Sequence, residues 1–122
     1  MSHPIVHVEL AAKDPAVSSK FYADVFDWKI EVDPNFNYYQ FDAEGGPGGG
    51  FNTIGEQGTQ PGDVIPYIGV DDIDAYLYKV EAAGGKTLLP KTEIPGVGWF
   101  AHFADPGGTR VALYTSARNG QG

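Results

Sequence analysis

His7 and Glu9 are the residues best placed to do chemistry. They lie in the run Ile5-Val6-His7-Val8-Glu9-Leu10-Ala11, where strand periodicity sends alternate side chains to opposite faces. Val6, Val8 and Leu10 form an aliphatic stripe suited to packing under a helix. Ile5, His7, Glu9 and Ala11 share the other face, which puts an imidazole and a carboxylate side by side. Such a pair can act as a base and the group that orients it. Two strand residues on one face are roughly 7 Å apart at Cα, so spacing alone does not bring them into contact. No Ser–His–Asp arrangement, zinc-protease motif or nucleotide fingerprint occurs elsewhere. The glycine-rich stretch from Glu44 to Gly50 lacks the Gly-Lys-Ser/Thr ending of a phosphate loop and has no lysine near it, so it reads as a flexible connection.

The elements that must position these residues belong to one domain of ordinary size, or to two small modules sharing a core, in 122 residues of which 42% are hydrophobic. Seventeen glycines signal many turns or close backbone approaches. With no cysteine, disulfide and thiolate chemistry are excluded. A net charge of −8 would repel a phosphate backbone, which argues against nucleic acid as a partner. No signal-peptide core follows the first Met, and no apolar run approaches the roughly 20 residues that span a bilayer. A soluble, cytoplasmic protein with no membrane partner is the expectation.

Asp14-Pro15 is a helix start, a carboxylate N-cap followed by Pro where a missing N–H costs nothing. Val17, Phe21, Tyr22, Val25 and Phe26 recur at spacings of three and four and predict its buried face, with Ser18, Ser19, Lys20 and Asp24 opposite. Asp27 is suited to the left-handed conformation that ends a helix. Strands are expected at Trp28–Val32, Tyr38–Asp42 and Phe51–Ile54, with a turn at Asp33-Pro34-Asn35. After a linker at 56–63 the order restarts. Val64–Val70 reads as a strand, and Asp71-Asp72 caps a helix that buries Ile73, Tyr76, Leu77, Val80 and Ala83. Gly84-Gly85 ends that helix. Strands follow at Lys86–Leu89, closed by Pro90, at Gly98–Ala104 and at Arg110–Thr115. Asp105-Pro106-Gly107-Gly108 makes the tight turn between the last two. Residues 116–122 form a tail.

The halves thus share one grammar, strand, capped helix and three strands, with module 1 at about 5–55 and module 2 at about 64–115. Laying the second on the first pairs Asp14 with Asp72, Asp27 with Gly85 and His7 with Ile65. One such module cannot bury both faces of its sheet alone.

The segments Phe21-Tyr22-Ala23-Asp24-Val25-Phe26-Asp27-Trp28 and Asp105-Pro106-Gly107-Gly108, together with a first strand carrying His, resemble the vicinal oxygen chelate superfamily over about residues 5–116. Its members include glyoxalase I, the bleomycin and fosfomycin resistance proteins and the extradiol dioxygenases; the short glyoxalase-like proteins are nearest in character. The resemblance implies an α+β fold of two βαβββ modules, an eight-stranded open cup with helices outside and a ligand cavity inside. In metal-dependent relatives the ligands take four inward positions, which fall here on His7, Gly50, Ile65 and Ala112. Gly, Ile and Ala offer no donor, so the usual divalent metal is expected to be absent and no cofactor is implied. The alternative is a displaced metal site using His7, Glu9 and His102. His102 also reads as a surface or edge histidine, and His3 as a tail residue.

Strand parity turns Ile5, His7, Glu9, Tyr38, Gln40, Gly50, Asn52, Ile65, Tyr67, Phe100, His102, Arg110, Ala112 and Tyr114 inward. From these, His7, Glu9, Tyr38, Gln40, Asn52, Tyr67, His102 and Tyr114 are the expected ligand-binding residues, with His7 and Glu9 also the catalytic candidates. Aromatic walls with a few polar anchors suit a small organic molecule. The expected function is binding of such a molecule without metal. The alternative is a lyase, isomerase or dioxygenase acting through the displaced metal site or through His7/Glu9 acid–base chemistry. A symmetric homodimer is the expected assembly.

Overall fold

The computed structural model describes residues 3–34, 38–53, 60 and 62–117. Asn35, Ile54, most of the expected linker and the end of the tail lie outside these. Among the described residues the order is β1 (Ile5–Ala12), α1 (Pro15–Phe26), β2 (Lys29–Asp33), β3 (Tyr38–Asp42), β4 (Gly48–Thr53), β5 (Val64–Gly69), α2 (Ile73–Ala82), β6 (Lys86–Ile94), β7 (Gly98–Ala104) and β8 (Arg110–Ser116). This is an α+β fold in which βαβββ occurs twice. The chain divides into two compact units, Val6–Ile65, and Pro66–Gly122 with the N-terminal Met1–Ile5.

In the first unit the strands lie in the order β2-β3-β4-β1. β1 runs parallel to β4, with Glu9 opposite Gly50, and the β2–β3 and β3–β4 pairs are antiparallel. The expected alternation of β1 holds from Val8 onward, but Val6, expected in the buried stripe, is 39% exposed and stays outside the core. Val8, Leu10 and Ala12 join Ile30, Tyr39, Phe41 and Phe51 in a core that also takes in Tyr22 and Trp28. The rings form a continuous stack: Tyr22 on Trp28 at 5.0 Å and Trp28 on Phe41 at 4.4 Å, with Phe41 tilted against Phe51 at 5.5 Å. The buried rings, Phe41 and Phe51, each contribute on the order of 1.5–3 kcal/mol by burial.

Helix α1 starts and stops as its sequence predicts. The Asp14 carboxylate accepts from the Ala16 and Val17 amides, and Asp27 stands at φ 61°, its N–H donating to Ala23 O. Its rotation differs from the expected one. Ser19 is the buried residue and Ser18, Tyr22 and Ala23 are half-buried, while Val17, Phe21, Val25 and Phe26 are more than half exposed. The docking of Tyr22 on Trp28 fixes the helix about its axis. Small side chains beside it let the helix approach the sheet, and Ser19 Oγ satisfies its donor on Ala16 O at 3.1 Å. The apolar row at 17, 21 and 25 is thereby turned outward.

A second correction concerns β4. Gly48, Gly49 and Gly50 belong to the strand and not to a flexible connection. Two aromatic side chains explain why glycine is used: a Cβ on Gly49 would stand 2.4 Å from Phe41 Cζ, and one on Gly50 would stand 1.8 Å from Tyr38 Oη. The missing side chains of β4 are replaced from both faces by rings of β3.

The second unit has the order β5-β8-β7-β6, with β5 parallel to β8 and the other pairs antiparallel. Val70, Ile73, Leu77, Ala101 and Leu113 form its core, so α2 buries the face expected of it, apart from Ala83, which is exposed. The left-handed residue that ends α2 is Gly84, at φ 99°, one earlier than the expected counterpart of Asp27; Gly85 N–H then closes on Val80 O at 2.8 Å. β6 runs on through Pro90 to Ile94. As the edge strand of this unit it tolerates a residue without an N–H, and its register shifts around that point. His3 is no loose tail residue: its Nε2 lies 2.8 Å from the Tyr76 hydroxyl.

Candidate functional site

On the face of the first unit opposite its core, the register places Glu9, Gly50, Gln40 and Glu31 in one row across the four strands. His7 and Tyr38 stand two residues away on their own strands and share that face. The Tyr38 ring leans over Gly50, through the space a side chain would fill, and its hydroxyl donates to Glu9 Oε2. His7 Nε2 meets the same carboxylate oxygen, and the Tyr38 oxygen lies 3.2 Å from that nitrogen. Glu9 is 5% exposed and the His7 side chain 30% exposed. A buried carboxylate therefore gathers an imidazole and a phenol, and the imidazole reaches the surface. Asn52, 8% exposed, continues the face beyond Gly50, and Gln40 is exposed at its other side.

This arrangement fixes what each group can do. The Glu9 carboxylate holds the imidazole through Nε2 and so sets the orientation of the His7 ring on this face. Strand spacing left the His7–Glu9 contact open; side-chain reach along one face closes it, with Tyr38 as the third member.

The second unit has its own polar cluster. Tyr67, Ala112, His102 and Leu89 form one row across its strands. Over the small Ala112 side chain, the Tyr67 hydroxyl comes within 3.5 Å of His102 Nε2. The Asp105 turn sets the register of the β7–β8 hairpin, its carboxylate accepting from Gly107 and Thr109 amides and Gly108 taking φ 94°. That register pairs Arg110 with Ala104 and puts its guanidinium diagonally beside His102, donating to Nδ1 at 2.8 Å. His102 is fully buried on a strand flanked on both sides, and so is neither a surface nor an edge histidine. Burial, and after it the Arg110 charge, lower its pKa from 6.5 to about 4. His102 is therefore neutral, with its proton on Nε2. Tyr114, half-buried, directs its hydroxyl to Val97 O at 3.4 Å.

The expected site residues thus fall into two groups. His7, Glu9 and Tyr38 are bonded together with Asn52 and Gln40 on the same face, whereas Tyr67, His102 and Tyr114 belong to the other unit. The Arg110–His102 bond went unread in the sequence, although Asp105-Pro106-Gly107-Gly108 sets the register that makes it. The metal-ligand positions of the resemblance do not fit a metal. The place for a donor on Gly50 is taken by Tyr38, Ile65 and Ala112 are buried and apolar, and His7 Nε2 is engaged by Glu9. Within neither unit do three described His, Asp or Glu side chains converge.

Residues 4–113 match the family described as Glyoxalase/Bleomycin resistance protein/Dioxygenase superfamily, and the chain belongs to it. Anthracycline biosynthesis protein DnrV of Streptomyces peucetius is 30% identical, over 87% of this chain and 44% of its own length. This chain spans about half the length of the curated relatives it matches. Among solved structures, NAD-dependent benzaldehyde dehydrogenase from Legionella pneumophila is similar with a TM-score of 0.70, at 20% identity over 90% of this chain and 97% of that one. Methylmalonyl-CoA epimerase from Mycobacterium tuberculosis is similar with a TM-score of 0.68, at 14% identity over 91% and 86%. Names so different on one fold mean that the reaction, if any, must be argued from the site. No helix of the described residues is long and apolar enough to cross a membrane.

Proposed function

We propose that the chain binds a small organic molecule on the polar face of its first unit, with His7, Glu9 and Tyr38 as anchors and no metal. The observation that carries this reading is the burial of Glu9 with two donors on one oxygen. Burying a charged group is costly even when it is paired, and apolar residues of similar volume commonly replace such pairs without loss of stability. A cluster retained on the face that the core does not use is best understood as recognition. Membership of a superfamily that includes resistance proteins supports the same reading.

The test is a thermal-shift screen of small organic compounds on the parent and on the double variant His7→Val/Glu9→Val. Changing both members leaves no buried carboxylate without its imidazole. The variant should melt at the same or a higher temperature and lose the shifts seen with the parent. Shifts of equal size in both proteins would move the site elsewhere.

A second reading, isomerase or lyase chemistry, is favoured by the His7–Glu9 bond. Glu9 orients the ring, the His7 imidazole takes a proton from the bound molecule, and the imidazolium returns it. Binding comes first in either case.

The assembly we propose is a symmetric homodimer. The relatives, about twice as long, have room for a second segment of this whole chain's length, and the outward row of Val17, Phe21 and Val25 offers apolar surface. Light scattering should return about twice 13.1 kDa at micromolar concentration; the monomer mass would refute it.

A further inference from the structure

Asn52 is the unexplained polar residue of this face. It lies on β4 two residues beyond Gly50, opposite Ala11 of β1, and one residue past Phe51, which pairs with Tyr39 of β3. It is 8% exposed, and its Oδ1 is buried with no hydrogen-bond partner among the described residues. The Tyr38 hydroxyl, a donor on the same face, donates to Glu9. A buried acceptor left without a donor is unfavourable, and a strand residue of this size is readily replaced by an apolar one. The amide turns easily about its last torsion, so a donor arriving over the face can meet the oxygen.

We infer that Asn52 is a specificity-determining residue: the molecule held on this face is neutral and presents a hydroxyl or N–H donor to the Asn52 amide. This rests on the binding reading above. The buried Glu9 carboxylate on the same face and a net charge of −8 oppose an anion, so the site favours an alcohol, phenol or amide over a carboxylate.

The experiment uses compounds paired with and without the donor: phenol and anisole, benzyl alcohol and benzyl methyl ether, benzamide and N,N-dimethylbenzamide, with benzoate as the anionic member. Affinities come from amide chemical shifts of the parent and of Asn52→Leu, a variant of similar volume. The donor-bearing member of at least one pair should bind the parent about tenfold more tightly than its partner, the worth of one hydrogen bond. It should also move the Asn52 side-chain amide signals. Asn52→Leu should melt no lower than the parent and bind both members alike.

Equal binding of every pair to the parent, as when a bound water satisfies the amide, would overturn the inference. So would a donor preference that survives in Asn52→Leu, or benzoate binding more tightly than benzyl alcohol. In each of these cases, shifts in β1, β3 and β4 lost in His7→Val/Glu9→Val would leave the binding reading standing. Absence of binding by every compound would overturn both.

Discussion

Gly49→Ala is expected to destabilise the protein by about 3 kcal/mol or more, at the upper end of what overpacking costs. The new methyl group would stand 1.9 Å from Val8 O and 2.4 Å from Phe41 Cζ. The ring could swing aside only by abandoning the stack with Trp28 and Phe51. The carbonyl belongs to the β1 backbone and has no rotamer to change. Gly46→Ala is the control, because its nearest neighbour would be Ala43 O at 3.8 Å and its φ is not positive. Urea denaturation should show a much lower midpoint for Gly49→Ala with an unchanged slope, and Gly46→Ala within about 0.5 kcal/mol of the parent. Equal stabilities for the two variants would mean that Phe41 does not lie over β4 as described.

The second large effect is on acid stability. Unfolded histidine titrates near 6.5, whereas His102 in the folded protein titrates at about 4. Between these values the unfolded chain takes up a proton that the folded chain refuses, so acid favours unfolding. The contribution is complete above pH 6.5, is lost as pH falls, and changes no further below about 4. At 1.36 kcal/mol for each pH unit of separation, about 2 kcal/mol goes by pH 5 and about 3 kcal/mol in all. His102→Gln keeps an acceptor for Arg110 but does not titrate in this range. Its stability should be nearly level from pH 7 to 5, where the parent's falls. Glu81, whose carboxyl is held below its usual value by the Thr87 amide, acts at lower pH and in both proteins. Parallel pH profiles for parent and variant would show that His102 is not the buried neutral group.

Much of the fold was legible because local chemistry agreed with the final structure. Asp14-Pro15 and Asp72 cap helices, Asp27 and Gly84-Gly85 end them, and the turn at Asp105 sets a hairpin register. What could not be read depends on contacts between distant segments. The rotation of α1 follows from where Tyr22 meets Trp28, and the periodicity of Val17, Phe21 and Val25 pointed the other way. Gly48-Gly49-Gly50 carries no strand propensity of its own; rings from β3 make it a strand. For the site, parity placed His7, Glu9, Tyr38, Gln40 and Asn52 on one face. Parity gives a face but no reach, so neither the shared carboxylate oxygen nor the passage of Tyr38 over Gly50 could be read from it.

The central claim, a small-molecule site on the first unit, is tested most directly by mapping a compound from the thermal-shift screen onto the backbone amides of the parent by NMR. The shifts should concentrate in β1 from His7 to Ala11, in β3 from Tyr38 to Gln40, and in β4 from Gly50 to Asn52, with the imidazole signals of His7 moving in step. Shifts confined to the second unit, around Tyr67, His102 and Tyr114, with His7 unmoved, would contradict it.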